Sequence, residues 1–318
     1  MEQPLLYKYR PLSLENLNIK KELLALLNNL IKNSNLNLLL IGDSDTGKST
    51  LIKKILEKYY LNENMQDNVL VINPLKEQGI SFYRYELKTF CQSLCNIPGK
   101  KKTIILDDLD YINDQSQAVF RNCIDKYGKN INFIASCRNI QKIIDTIQSR
   151  LLLINLDIPT KLELKNKLDF IIKRENILIE DDAKEFLLTL TNNSYKILIN
   201  YLEKFKLLNE NITKNKAIDL CTNISFQRFN EYTELCKSKK NLKSSIKKIL
   251  DINDEGYSVM DILDNYFIYI KLCSLPEKEK YEIIKLLSKY ISIFYTIHED
   301  EIELAIFTRS ITNILDKS

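Results

Sequence analysis

The stretch LNLLLIGDSDTGKSTLIKKILEKYY (36–60) joins an apolar run of strand length to an amphipathic helix through a loop bounded by glycines. The first six residues are continuously apolar apart from one Asn, and STLIKKILEKYY carries apolar side chains at helical spacing. Between them GDSDTGKS (42–49) fills the phosphate-loop template G-x-x-x-x-G-K-[ST]. A strand feeding a helix is the context that template needs. Backbone N–H groups of the loop and of the helix N-terminus converge on one place, which favours an anion there. The spacing predicts a cradle for β- and γ-phosphates, with Lys48 reaching their oxygens and the Ser49 hydroxyl taking Mg²⁺.

Outward from this loop, short apolar runs alternate with helical patterns as far as residue 156. The expected strands are LNLLLI (36–41), VLVIN (69–73), TIILDD (103–108), NFIASC (132–137) and LLLINL (151–156). Helices between buried strands are the signature of a parallel sheet covered on both faces. After Pro159 the strand signals stop, and the pattern is helical to the end, with breaks near Asp251–Tyr257 and Ser274–Lys278. The expected layout is an α/β nucleotide-binding domain over 1–158, a small helical domain over 159–221 and a second helical domain over 222–318.

Composition bounds the rest. The chain has 318 residues, 45% hydrophobic and 28% charged, an ordinary globular balance. No apolar stretch reaches membrane-span length. Seven cysteines without a C-x-x-C pair predict free thiols in a reducing, intracellular compartment; Cys91 and Cys95 share a helix face but do not make a zinc site. A net charge of +4 means that any grip on nucleic acid comes from local patches.

Two further elements bear on chemistry. In IILDDLD (104–110) two carboxylates close an apolar strand, the position of a Walker B element. Asp107 would hold Mg²⁺ through water and Asp108 would polarise the attacking water. Arg150, between the helix QKIIDTIQS and the last strand, is either an ordinary surface residue or a finger for γ-phosphate charge across a subunit boundary. The residues alone leave both readings open.

From about residue 5 to 265 the chain resembles the small subunits of replication factor C, the sliding-clamp loaders of the AAA+ class. The resemblance is carried in order by YKYRP (7–11), NPLKEQGISFYRYELKTF (73–90), DQSQAVFRNCIDKY (114–127), KIIDTIQSR (142–150), TNNSYKILIN (191–200) and EGYSVMDIL (255–263). It implies a RecA-like AAA+ sheet domain, a three-helix lid and an all-α collar building a five-subunit spiral. It implies ATP and Mg²⁺ as cofactors, held by Gly42, Asp43, Ser44, Asp45, Thr46, Gly47, Lys48, Ser49, Thr50 and Asp107, with Tyr9, Arg10 and Pro11 beside the adenine. Asp108 would act on water and Arg150 on a neighbour's nucleotide. Lys196 stands where the family has its sensor-2 arginine. Implied partners are the other subunits of a hetero-pentamer, a sliding clamp and primer–template DNA, in a nucleus or a cytoplasmic viral replication site, with no membrane. Arg84, and Lys88 four residues on, share a helix face. The resemblance assigns Arg84 to DNA and leaves Lys88 open between DNA and solvent.

Departures from the family are equally specific. Asp43, Ser44 and Asp45 replace two prolines and a glycine, placing carboxylates near a triphosphate. Asp108 replaces a glutamate. Arg138 occupies the sensor-1 asparagine position, with Asn139 adjacent. Leu151 replaces the signature cysteine, and Lys196 lacks the arginine fork. The expectation is an ATPase that turns over slowly. The alternatives are a structural subunit that binds ATP but scarcely hydrolyses it, and another AAA+ remodeller such as a helicase loader.

Overall fold

The computed structural model describes residues 3–61, 65–72, 80–222, 224–294 and 298–316, with the side chains of 80–84 outside that description. Five short apolar runs become strands: β1 (Leu38–Ile41), β2 (Val69–Ile72), β3 (Lys102–Leu106), β4 (Ile131–Cys137) and β5 (Leu152–Asn155). They form one parallel sheet in the order β2-β3-β4-β1-β5.

Alternation along each strand splits the side chains between two cores. Leu38, Leu40, Ile105, Ile134 and Ile154 pack on one face with Leu27 and Ile31 of α1 (Lys21–Lys32) and with Leu51, Ile55 and Tyr59 of α2 (Lys48–Tyr60). Leu39, Ile104, Leu106, Phe133 and Ala135 pack on the other with Leu87 of α3 (Ile80–Gln92) and with Phe120 and Ile124 of α4 (Asp114–Tyr127). Both faces are apolar because both are covered, as expected for parallel strands joined by helical crossovers. The strand ends differ slightly from expectation. β3 stops at Leu106, so Asp107 and Asp108 lie just beyond it, and Asp108 takes a left-handed φ of 50°.

The pairing register positions the site. Leu106 pairs with Ala135 and Ile41 with Cys137, so Asp107, Ser136 and Gly42 emerge together at the sheet's C-terminal edge. That edge is where ligands sit in open α/β sheets.

The chain packs as two units, Met1–Asp169 with Asn193–Glu203, and Phe170–Asn192 with Lys204–Ser318. Beyond β5 the helices of eight residues or more are α5 (Lys161–Glu175), α6 (Asp181–Leu190), α7 (Tyr195–Leu208), α8 (Lys214–Cys221), α9 (Phe226–Cys236), α10 (Leu242–Asp254), α11 (Val259–Leu272), α12 (Glu277–Phe294) and α13 (Glu301–Leu315). The second unit is built on an aromatic core of Phe229, Tyr232, Tyr266 and Phe307. Its buried phenols are satisfied: Tyr232 meets the Thr308 hydroxyl at 2.9 Å and Tyr266 meets Thr233 at 3.1 Å. Among the described residues no helix is long and apolar enough to cross a membrane.

Candidate nucleotide site

Two glycines shape the loop. A Cβ on Gly42 would lie 2.8 Å from Thr46 Oγ1 and 3.1 Å from the Leu156 carbonyl oxygen, so any side chain there would force its neighbours to shift. Gly47 caps α2 with a φ of 92°, a conformation that costs glycine little. The next residue, Lys48, is buried and donates from Nζ to the carbonyl oxygens of Gly42 at 2.7 Å and Asp43 at 2.9 Å. Its ammonium is thereby folded over the loop. Burial holds the Lys48 pKa below its ordinary value; Arg138 pushes it the same way, while Asp108, Asp107 and Asp110 oppose.

Ser49 Oγ lies 3.5 Å from Asp107 Oδ2. A hydroxyl and a carboxylate are the hard oxygen donors that Mg²⁺ takes, so this pair fits that ion. Among the described residues no cluster of three or more His, Cys, Asp or Glu could hold a metal, so Ser49 and Asp107 would hold the ion only together with other oxygen donors.

The Walker B carboxylates are positioned by a residue that sequence reasoning missed. Ser136 is fully buried in β4. Its hydroxyl donates to Asp107 Oδ1 at 2.6 Å and accepts from the Asp108 amide at 3.0 Å. One side chain therefore fixes the Asp107 carboxylate and the backbone that carries Asp108. A polar residue in the otherwise apolar run FIASC was the available signal, and its meaning appears only when β4 is laid beside β3.

A second arm comes from residues 193–203. Ser194 Oγ donates to Asp45 Oδ2 at 3.1 Å, and Lys196 Nζ lies 3.9 Å from Asp45 Oδ1. Tyr195 accepts from Asn18 at 3.2 Å, and Glu203 accepts from the Leu5 amide at 3.3 Å. Tyr9 is buried, its carbonyl 3.5 Å from the Lys167 ammonium, which also sits over its ring. The N-terminal segment, the loop and the start of α7 thus belong to one unit.

Other expected residues fall elsewhere. The Asn139 side chain accepts from the Gln141 amide at 2.9 Å, capping its own turn, and it is Arg138 whose charge reaches Lys48. In this structure Asn139 is thus engaged in a local cap. Arg150 precedes β5, and Leu152 pairs with Leu38 at the start of β1. The loop lies past the other end of β1, so Arg150 is separated from it by the length of that strand, roughly 13 Å. Arg150 instead pairs with Asp125 on α4 and donates to the Thr146 carbonyl. That hydrogen bond holds Asp125 below, and Arg150 above, their ordinary pKa values. Lys88 is exposed on α3. Residues 73–79 and the Arg84 side chain lie outside the described residues.

A phosphate loop and a Walker B strand on a sheet of this order define a AAA-type ATPase. Residues 38–157 match the ATPase family associated with various cellular activities (AAA), and residues 227–291 match the replication factor C C-terminal domain. Replication factor C subunit 5 of Dictyostelium discoideum is 30% identical over 300 residues, covering 87% of this chain and 84% of that one. The replication factor C small subunit of Thermoplasma volcanium is 27% identical, covering 88% of each chain. Among solved structures, the Thermotoga maritima DNA polymerase III gamma subunit-related protein superposes with a TM-score of 0.53 at 14% identity, covering 92% of this chain and 98% of that one. The RuvB Holliday junction branch migration motor of the same organism gives 0.52 at 15% identity, covering 70% and 78%. These two structural likenesses speak to the fold. The chain belongs to the replication factor C small-subunit family, and is a clamp-loader subunit of DNA replication.

Proposed function

We propose that the chain is an ATP- and Mg²⁺-binding small subunit of a hetero-pentameric loader that opens a sliding clamp and closes it on primer–template DNA at an intracellular replication site. One observation carries this reading. Lys48, Ser49, Asp107 and Asp108 gather at one edge of the sheet, while Arg150, the candidate finger, stands at the other. Such a chain holds half of one site and offers half of the next.

Within the half it holds, Lys48 binds the phosphate oxygens between β and γ, and Ser49 with Asp107 holds Mg²⁺. When bound, the ion neutralises charge on the phosphates. Asp108 orients a water, with its backbone fixed by Ser136. Arg150 serves the neighbouring subunit's nucleotide, leaving Asp125 to do so. Arg84 follows the DNA backbone, a salt-sensitive and sequence-blind contact.

We further propose that turnover is slow. Asp108 is one methylene shorter than a glutamate, and about 1 Å of misplacement can cost on the order of a hundredfold. Asp43 and Asp45 add negative charge beside the phosphates. The test is steady-state hydrolysis by the assembled loader with clamp and primed DNA. A low DNA- and clamp-stimulated rate supports the reading. A rate equal to that of the fastest subunits defeats the slow-turnover part, and no nucleotide binding by the purified chain defeats the whole.

A further inference from the structure

We infer that Asp45 is an internal stand-in for the γ-phosphate, and that it sets the preference of this site for triphosphate over diphosphate. The inference rests on the reading of residues 42–49 as a nucleotide loop. Three observations meet at this carboxylate. One oxygen accepts from Ser194 Oγ at 3.1 Å, and the other lies 3.9 Å from Lys196 Nζ. Ser194 Oγ in turn accepts from the Ile197 amide at 3.3 Å, so the carboxylate acts through it on the N-terminus of α7, the end of a helix that favours negative charge. The Asp45 side chain is also partly withdrawn from water, at 28% exposure against 59% for Lys196.

An ammonium, a hydroxyl and a helix N-terminus are together what a phosphoryl group would seek. Here a residue of the loop itself already engages them. In the nucleotide-free chain, Asp45 therefore clasps residues 194–197 to the loop. A γ-phosphate must take Lys196 from Asp45, and that exchange lowers the net gain from the third phosphate. A diphosphate leaves the clasp closed. The consequence is a site whose grip on ATP over ADP is weaker than its own lysine could provide. The start of α7 changes anion, rather than changing from free to bound, when ATP arrives.

Asp45→Asn tests this with little risk to folding. Asn accepts the φ of 62° that Asp45 adopts and keeps the side-chain shape. Fluorescent ATP and ADP analogues are titrated into the full chain, with hydrogen exchange of 194–200 followed without nucleotide. The expected result is ATP binding about fivefold tighter in Asp45→Asn, at the lower end of ordinary coupling between sites, with ADP changed less than twofold. Exchange at 194–200 should quicken in the nucleotide-free variant. In a Lys196→Met background the Asp45→Asn gain should shrink below twofold. Equal tightening of ATP and ADP would overturn the inference, since that is only the removal of a nearby charge. So would unchanged exchange, or a gain that survives Lys196→Met. Wild-type chain that binds neither nucleotide sinks the nucleotide reading itself, a result distinct from wild-type binding that Asp45→Asn leaves unmoved.

Discussion

The two ends of the sheet in the first unit are built differently. At the C-terminal edge, groups from the loop and from distant parts of the sequence bind one another: Lys48 to the loop carbonyls, Ser136 to Asp107 and Asp108, Ser194 to Asp45. At the opposite edge Arg150 has surface company, the exposed Asp125 carboxylate, the Thr146 carbonyl and the Ser149 hydroxyl. Exposed ion pairs of that kind are worth little, so Arg150 can leave Asp125 at small cost. The first edge is pre-organised and the second is available. Under the proposed function, a site divided in this way would stay silent until a second subunit supplied what the first one lacks.

The sharpest way to break this contrast is Arg150→Ala. If Arg150 acts on a neighbour's nucleotide, DNA-stimulated turnover at the neighbouring site should fall about a thousandfold in the assembled loader. ATP affinity of the isolated chain should change less than twofold, because that half-site does not contain Arg150. Comparing assembled turnover with isolated-chain titration checks both. A comparable loss of affinity in the isolated chain would place Arg150 in its own site.

How much of this was legible in the sequence depends on how far apart the cooperating residues stand. The loop at 42–49 is contiguous, and its strand and helix are adjacent, so periodicity and spacing sufficed. Asp107 and Asp108 were legible for the same reason, as acids closing an apolar run. Ser136 was not. Its role exists only once Leu106 is paired with Ala135, and pairing register is a property of the whole sheet. Asp45 looked like an electrostatic liability because its partner Ser194 stands 149 positions away. Asn139 carries a second reading that spacing does not display: Asn is also a good cap, and here it caps its own turn. In the second unit the helices were legible from spacing. Their packing around Tyr232 and Tyr266 was not, since a helical stripe does not say which stripe it meets.

Ser136→Ala probes the pre-organised edge itself. The variant removes a 2.6 Å hydrogen bond to Asp107 and the acceptor for the Asp108 amide, leaving that partly buried amide without its partner. Turnover in the assembly should drop roughly tenfold as both carboxylates loosen, and the Mg²⁺ concentration needed for half-maximal rate should rise. Ser136→Thr, which keeps the hydroxyl, should recover part of the loss. Loss of thermal stability with turnover per folded molecule unchanged would reduce Ser136 to a packing role.

The smallest expected effect is also the most diagnostic of the slow-turnover reading. Asp108 has its amide pinned by Ser136 and its φ at 50°, so the backbone has little freedom to carry the carboxylate forward. The missing methylene cannot be recovered by moving the chain. Asp108→Glu restores that length from the side chain alone and should raise assembled turnover a few-fold, within the range that about 1 Å of reach commands, while nucleotide affinity stays level. Glu is less at ease than Asp at positive φ, which keeps the expected gain modest. A fall in turnover with Asp108→Glu would mean that the shorter acid is already correctly placed, and that the carboxylates of the loop are what distinguish this site.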